Sequence, residues 1–417
     1  YHHWAAQDLE TGGGTNRRND VLIDGTPVET GPKTSYTPNV DAVAEFTIQQ
    51  NSVDAEFGHS AGGIMSVAMK SGTNDYHGTA FYVGRNPALN AVSDRTVVPR
   101  AKSRIKHDVW GGSLGQPLVK NKLFNFFSWE DWKTIQPYNF SRTMPTDIQR
   151  GGNFAGALTP RGDVRRIYDP WSTVFDAARN ISTRTQFPNN VIPRTRLDPL
   201  AVKIMEQVWR PNNAGDDLTG RNNFQVESNR FYDYWNLSNR ADWHINDKWK
   251  IYGRYSQFHT VVSEENLSGN NSQWWPWDAG SLRDGLNLAG DAVYSMSATT
   301  IFNVRGSYNA IIDQYDGGPQ VTDTAGLAQL WPGKWFEPYM KDVPQILPPR
   351  FDIDQGGVFA KGNYWFHRPK SYSAHARLSH YAGQHYLKGG FEMRGMAGRA
   401  SRPDPMRFYF DRNLTAD

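Results

Sequence analysis

Cysteine is absent from the 417 residues, which excludes a disulfide scaffold and thiolate metal sites. No stretch approaches the roughly 18 consecutive apolar residues of a membrane-crossing helix, and the opening "YHHWAAQDLE" has no apolar signal-peptide core. An excess of either charge is missing too. The 45 basic and 42 acidic side chains leave a net +3 with no long basic run, so nothing points to nucleic acid. A membrane β-barrel survives these exclusions, because its strands alternate and never build a long hydrophobic run.

What is present is aromatic but not greasy: aromatic residues make up 13%, with 15 Trp, yet the mean hydropathy is -0.66. The apolar residues are spread with a period of two. In "KWKIYGRYSQF" (248–258), Trp249, Ile251, Gly253 and Tyr255 face one way, while Lys248, Lys250, Tyr252, Arg254 and Ser256 face the other. The same separation recurs in "FNVRGSYNAI", in "HYLKGGFEMR" and in "WNLSNRADWHI", giving each strand one apolar and one polar face. A soluble sandwich shows such alternation as well, so a β-rich glycan-binding protein stands as the alternative reading.

Connection lengths discriminate between them. Strands are expected at 77–86, 107–117, 123–134, 231–245, 248–261, 284–297, 300–312, 371–381, 384–396 and 405–412. The joins alternate between tight turns ("VKNKL", Asn246 with Asp247, "AT", and Ala382 with Gly383) and long segments at 87–106, 135–230, 262–283, 313–370 and 397–404. All long loops therefore lie at one end and all tight turns at the other, the layout of an outer-membrane barrel. Most expected strands exceed the roughly 5–6 residues of soluble sheets and suit a tilted crossing of a bilayer. Trp235, Trp243, Trp249, Tyr255, Tyr294, Tyr308 and Tyr372 are expected near strand ends, as interfacial rings.

Residues 1–75 differ in texture, with short strands in "NDVLIDGTPVET", "VDAVAEFTIQQ" and "GIMSVAMKSGTN" and a turn at Asp24 and Gly25. The stretch 40–86 resembles the plug–barrel junction of TonB-dependent outer-membrane receptors, and is most similar to the Oar-like branch, whose members often carry a carboxypeptidase-regulatory-like domain. The match is carried by Glu45, Ala55, Glu56, Gly58, Gly62, Gly63, Lys70, Ser71, Gly72, Thr73, Asn74, His77, Gly78, Arg85 and Asn86. The pieces 111–133, 187–199 and 236–256 agree with it.

The resemblance implies an all-β membrane barrel, here about ten antiparallel strands of the roughly 22 the family has. Part of a small α+β plug domain precedes it. Residues 1–75 are expected to be the end of the plug, and residues 76–417 the first part of the barrel, with extracellular loops 135–230 and 313–370 the longest. It also implies a bacterial outer-membrane location, lipid contact, gating by TonB and uptake, or export, of an extracellular ligand, with no enzyme activity and no cofactor. So few strands and a start within the plug are expected of a piece of a longer protein, without the TonB-contacting segment. Inward polar residues such as Lys250, Arg254, Arg305, Lys388 and Arg394 are expected to meet plug and solvent.

Other chemistry weighs less. "GHSAGG" (58–63) fits the G-x-S-x-G of a serine hydrolase through Ser60, but the "AGGIMSVAMKSG" that follows alternates like a strand where an elbow needs a helix. The glycines are expected to let the plug backbone turn tightly before its last strand. His2 with His3 has no metal-ligand spacing, and the loop pairs Glu264 with Glu265 and Asp216 with Asp217 are weak calcium candidates. "LDPLAVKIMEQVW" (197–209) reads as an amphipathic helix. Trp274, Trp275 and Trp277 cluster in an expected outer loop and are candidate ligand contacts. Alanine at all three is expected to weaken ligand binding about tenfold, a loss of roughly 1.4 kcal/mol. Unchanged affinity in a titration would remove them as contacts.

Overall fold

The computed structural model describes residues 19–31, 33–50, 56–60, 62–92, 102, 104–137, 139–264, 280–315, 350–353, 357–359, 365–402 and 407–410. Its first unit is a sheet of β1 (Asp20–Ile23), β2 (Thr26–Pro27), β3 (Val43–Gln50) and β4 (Gly63–Met69), in the order β2-β1-β4-β3. β1 runs parallel to β4 and the other pairs are antiparallel. Asp24 and Gly25 join β1 to β2 with φ of 50 and 72, the left-handed pair that a two-residue hairpin demands.

A much larger sheet follows. β5 (His77–Arg85), β6 (Lys106–Val119) and β7 (Leu123–Pro137) begin it. In the long connection after them, β8 (Phe140–Arg142), β9 (Val174–Asp176), β10 (Ile181–Thr183) and β11 (Phe224–Val226) form two ribbons, β8 with β11 and β9 with β10. The helix expected there is α2 (Pro199–Gln207), preceded by a single turn, α1 (Asp147–Arg150). The large sheet resumes with β12 (Asn229–His244), β13 (Trp249–Glu264), β14 (Ser281–Ser297) and β15 (Thr300–Tyr315). After β16 (Arg350–Ile353) and β17 (Gly357–Phe359), it is completed by β18 (Trp365–Ala382) and β19 (His385–Ser401).

Nine strands thus stand side by side in chain order, each antiparallel to the next. The turns have the chemistry their length requires. Asn121 takes φ 63 between β6 and β7, and Gly383 takes φ 63 between β18 and β19. The Asn246 side chain accepts from the amides of Lys248 and Trp249, each at 2.9 Å, closing the β12–β13 turn.

The expected tenth strand departs from this wall. Its described part, β20 (Arg407–Phe410), runs parallel to β16 in a separate three-stranded sheet with β17. Aromatic packing accounts for that choice, since Phe351 of β16 stacks on Phe408 at 5.4 Å and on Phe410 at 6.3 Å.

The two faces of the wall divide by chemistry as the alternation requires. Outward lie half-exposed Trp243, Tyr372, Leu387, Phe391 and Met393, and Trp249 stacks on Tyr294 at 4.4 Å near the tight turns. Trp235, Tyr255, Tyr308 and Tyr372 sit in mid-strand, not near the ends. The strands run farther on the long-loop side than the sequence suggests, to 264 and 315 and back to 365. Inward, polar residues are buried and bonded across strands: Ser238 to Ser256 at 2.9 Å, Asn287 to Asn309 at 2.7 Å, Asn309 to Ser371 at 3.1 Å and Ser307 to Ser373 at 2.7 Å.

The small N-terminal sheet packs on this inner face. Val21, Ile23, Val28, Tyr36, Ala42, Val67 and Met69 share one apolar cluster with Phe126 of β7 and Phe258 of β13. Phe258→Ala is therefore expected to lower the stability of the docked unit by about 3–5 kcal/mol. Phe391→Ala, on the outward face, is expected to leave it unchanged. Hydrogen exchange of the β1 and β4 amides in both variants checks the pair, and equal exchange rates would contradict the shared core.

Candidate functional site

The seam between the N-terminal unit and the wall is built around the β1–β2 turn. The Asp24 amide donates to the Val67 carbonyl at 2.8 Å, and its carboxylate accepts from the Met69 amide at 2.9 Å, so the turn is fastened to β4. The same carboxylate receives Arg240 at 2.9 Å and also pairs with Arg254, whose side chain is wholly buried. Tyr252 donates its hydroxyl to the Asp24 carbonyl at 3.1 Å and lies 4.2 Å beneath the Arg240 guanidinium. Arg254 donates onward to Asn287 at 2.8 Å. Two cations sharing one buried carboxylate are held by these extra bonds, without which desolvation would cancel the attraction. At the neighbouring residue, Arg305 donates to the Gly25 carbonyl at 3.2 Å and pairs with Asp291 at 2.8 Å.

Farther along, the backbone of the unit is read by the polar inner face. Asn309 donates to the Pro27 carbonyl at 3.0 Å and accepts from the Ser35 hydroxyl at 2.7 Å. Tyr36 donates to Asn236 at 2.6 Å, and Asn236 donates to the Thr37 carbonyl at 2.7 Å. Lys33 pairs with fully buried Asp313, which also accepts from Arg283 at 2.7 Å and from the Trp365 indole at 2.8 Å.

Toward β18 and β19 the seam is ionic. Arg394 holds both oxygens of Asp20 at 3.0 Å, and the His59 ring lies 2.8 Å from the same carboxylate. Glu29 completes a cluster with Asp20 and His59, accepting from the Val21 amide at 3.2 Å. Nearby, Glu56 takes Arg377 at 2.8 Å and Lys388 at 3.4 Å. Burial raises the Glu56 carboxyl, but the bonds and charges of Arg377 and Lys388 outweigh it and hold the group below its ordinary value. A cavity of about 70 Å³ bordered by Glu56, Arg305, His375, Glu392 and Arg394 separates these two contacts.

Of the residues singled out in the sequence, Arg254, Arg305, Lys388 and Arg394 lie in this seam, whereas Lys250 is exposed beside the tight turns. The junction residues spread along the route into the wall. Glu45 lies exposed on β3, bonded to Thr47 at 3.2 Å, and Glu56 is in the seam. Lys70 donates its amide to Ala42 at 2.8 Å, Ser71 donates to Asp242 at 2.7 Å, and Thr73 donates to the Asp75 carbonyl at 3.0 Å. Asn74 and Asn121 exchange bonds of 2.7 and 2.8 Å, and His77 lies 3.1 Å from the Asp75 carbonyl. Arg85 donates to Asn90 at 3.0 Å, and Asn86 caps the short turn Pro87–Leu89.

The glycines need a different account from the one their spacing suggested. Gly58 has open space beside it and no left-handed φ, so the turn there does not demand glycine, while Gly62 and Gly63 lead into β4. Close approach governs Gly72 and Gly78 instead. A Cβ on Gly72 would stand 2.3 Å from the Asn125 carbonyl oxygen, and one on Gly78 would stand 2.4 Å from that of Ser113.

Ser60 donates to the Gly63 carbonyl at 2.7 Å and accepts from the Gly62 amide at 3.3 Å, and a strand follows it. Asp216 accepts from the amides of Leu218, Thr219 and Arg221 and from the Thr219 hydroxyl, which brings its carboxyl down to about 2. Its oxygens are thus committed to a turn. Trp274, Trp275, Trp277, Ala55, Glu265 and the His2–His3 pair lie outside the described residues, as does the Glu264 side chain. The sequence marked Asp24 only as a turn residue and Asn309 and Asn236 only as members of polar strand faces, and Asp313 was not singled out although it continues the every-second-residue polar series of "NVRGSYNAIID".

A wall of long antiparallel strands, apolar outside and polar inside, with tight turns at one end and long connections at the other, defines a membrane β-barrel wall. The chain belongs to the family described as "Outer membrane beta barrel domain", whose model matches residues 68–417. Its place is the bacterial outer membrane. It is similar to the TonB-dependent transporter Oar of Myxococcus xanthus, 24% identical over 139 residues, which covers 32% of this chain and 13% of that protein. Among solved structures, the outer membrane transporter YddB of Escherichia coli has 13% identity and a TM-score of 0.44, covering 94% of this chain and 48% of its own. The FrpB iron transporter of Neisseria meningitidis has 8% identity and a TM-score of 0.43, covering 92% and 53%. The chain thus spans about half the length of these structures.

Burial, reinforced by the Asp20 charge and opposed by Arg394, raises the Glu29 carboxyl from 4.5 to about 8. The neutral acid therefore favours the docked unit. Its contribution is complete below about pH 4.5 and falls away as pH rises to about 8, by at most roughly 1.4 kcal/mol per pH unit. Thermal release of the N-terminal unit should accordingly move to lower temperature from pH 5 to 8, and Glu29→Gln should flatten that slope. A wild-type midpoint independent of pH would contradict the assignment.

Proposed function

We propose that this chain is the end of a plug and the first part of the barrel of a TonB-dependent outer-membrane receptor, which admits an extracellular ligand when the plug moves. In this reading residues 1–75 belong to the plug and 76–417 to the barrel. The observation that carries it is the seam itself: a small folded unit seated on the inner face of a membrane wall through Asp24, Lys33, Asn309 and Arg394. A permanent filler would be expected to form a dry apolar core with the wall. A movable one needs contacts that water can replace, and charged and amide groups are of that kind.

The likeness to the Oar transporter supports the energy-coupled mechanism, with TonB as partner and outer-membrane lipid around the apolar belt. The junction residues from Lys70 to Asn74 are the hinge and leash of the plug in this reading, and those from His77 to Asn86 anchor it in the wall. Trp274, Trp275 and Trp277 are ligand contacts on the outer side.

Ser35 and Asn309 bond side chain to side chain at 2.7 Å, and the chain has no cysteine to interfere with a cross-link. In planar bilayers the full-length protein should be closed, and should open reversibly when moderate urea releases the plug. The Ser35→Cys/Asn309→Cys disulfide should suppress opening by about tenfold or more and reductant should restore it, the free energy involved being on the order of 1.4 kcal/mol or more. Conductance that is open without urea, or unaffected by the disulfide, would refute a movable plug.

A further inference from the structure

Three cations stand on the outward face of β18 and β19, above its apolar part. The alternation that sends Tyr372, Leu378, Phe391 and Met393 outward also sends Arg368, Lys370 and Arg399 outward, and all three are exposed. Arg368 is directly opposite Arg399 in the register, and Lys370 is opposite Ala397, one diagonal step from Arg399. Like charges placed opposite each other on one face of a sheet repel and destabilise the pairing.

No side chain beside them relieves that repulsion. Among the described residues, none of the three cations pairs with a carboxylate. The neighbouring outward positions are Ala310, Ile312 and Gln314 on β15 and Ala397 and Ser401 on β19, all without charge. Asp284 of β14 stands opposite Ile312, one strand farther off, and its carboxylate is bonded to the His259 ring at 2.5 Å. Glu392 of β19 points inward, to Arg394. Arg368 lies over the ring of Phe366 at 4.5 Å, which orders the guanidinium without neutralising it.

Their height is that of a headgroup layer. Tyr381 and Tyr386 pack ring to ring at 4.7 Å beside the tight turn, an aromatic pair at one edge of the apolar belt. From Tyr381 to Lys370, at about 3.3 Å per residue and a tilt of roughly 40°, β18 climbs about 28 Å, and to Arg368 about 33 Å. The apolar band of an outer-membrane barrel is about 25 Å tall, so the cations begin where it ends, on the side of the long connections. Just below them Tyr372 lays its ring over Gly395, where an added Cβ would stand 2.2 Å from it, and Met393 continues the apolar strip downward.

We propose that Arg368, Lys370 and Arg399 hold the phosphorylated headgroup of an outer-leaflet lipid, whose acyl chains lie along the strip of Tyr372, Gly395 and Met393. Guanidinium groups offer forked N–H donors that match phosphate oxygens, and one phosphate between Arg368 and Arg399 replaces their repulsion by attraction to a shared anion. The occupant is a lipid and not free phosphate, because the apolar strip runs on from the cations and stabilises only an anion that carries chains. The site rests on the outer-membrane placement of the wall and not on plug movement, so its failure would leave the proposed function standing.

The test uses the full-length protein in neutral-detergent micelles, titrated with diphosphoryl lipid A and with a phosphate-free diglycosyl lipid of similar chain length. Saturable binding of lipid A is expected, at least about tenfold tighter than the neutral glycolipid; tenfold corresponds to roughly 1.4 kcal/mol. Arg368→Gln/Lys370→Gln/Arg399→Gln should bring lipid A down to the affinity of the neutral glycolipid. The three residues are exposed and the change removes a repulsion, so this variant should fold, which heat-modifiable migration on a gel checks. Lys120→Gln/Lys248→Gln/Lys250→Gln removes as many exposed cations beside the tight turns and should leave binding unchanged. No saturable binding, equal binding of the two lipids, unchanged binding by the first variant, an equal loss in the second, or full displacement of lipid A by millimolar inorganic phosphate would each overturn the site.

Discussion

A strand that crosses lipid can leave no backbone group without a partner, and its side chains must send apolar groups to the bilayer. Everything else in this molecule follows from how the wall meets that demand. Nine strands pair edge to edge in chain order, so the backbone is satisfied between neighbours, and a period of two sends Phe391 and Met393 outward and Glu392 and Arg394 inward. The inner face is then obliged to be polar and crowded at once. It meets this obligation with amides and hydroxyls that bond across strands, and by presenting the remaining groups to a second folded unit.

That second unit is matched to the wall group by group. Asp24 answers Arg240 and Arg254, Lys33 answers Asp313, Asp20 answers Arg394, and Glu56 answers Arg377. Removing one member of the buried pairs at Asp24 or Asp313 strands its partner in a place that water reaches poorly, which costs more than the pair itself contributes. Specificity of seating is therefore high even where net stabilisation is modest. Among the described residues, the seam becomes a hydrophobic core around Phe126, Phe258 and Tyr36, which gives the unit a dry foothold amid polar ones.

The wall was legible in the sequence because strand period, turn residues and loop lengths are local properties. Asn246, Gly383 and the alternation of 248–258 could be read within a dozen residues. The seam was legible only by half. The parity of Arg254 and Arg305 said that they point inward, but Asp24 lies 230 residues from Arg254, and no local pattern names a partner at that distance. Strand ends were misjudged where the strands run on into the long connections, which left Trp235, Tyr308 and Tyr372 in mid-strand. The fate of Arg407–Phe410 depended on a distant Phe351. Gly72 and Gly58 look alike as letters; only the neighbouring backbone of Asn125 separates a glycine that is required from one that is not.

The segment from Lys70 to Tyr76 joins the end of β4 to the start of β5, and it is pinned on the way by Ser71 to Asp242 and by Asn74 to Asn121. At about 3.3–3.6 Å per residue, these seven residues reach no farther than roughly 25 Å when pulled straight. A unit freed from every other contact would still be confined to a sphere of that radius around its seat. Its return is thus an encounter within one molecule, at an effective concentration in the millimolar range, which no dilution of the protein can lower. Seating can then be weak at each contact and still be recovered each time.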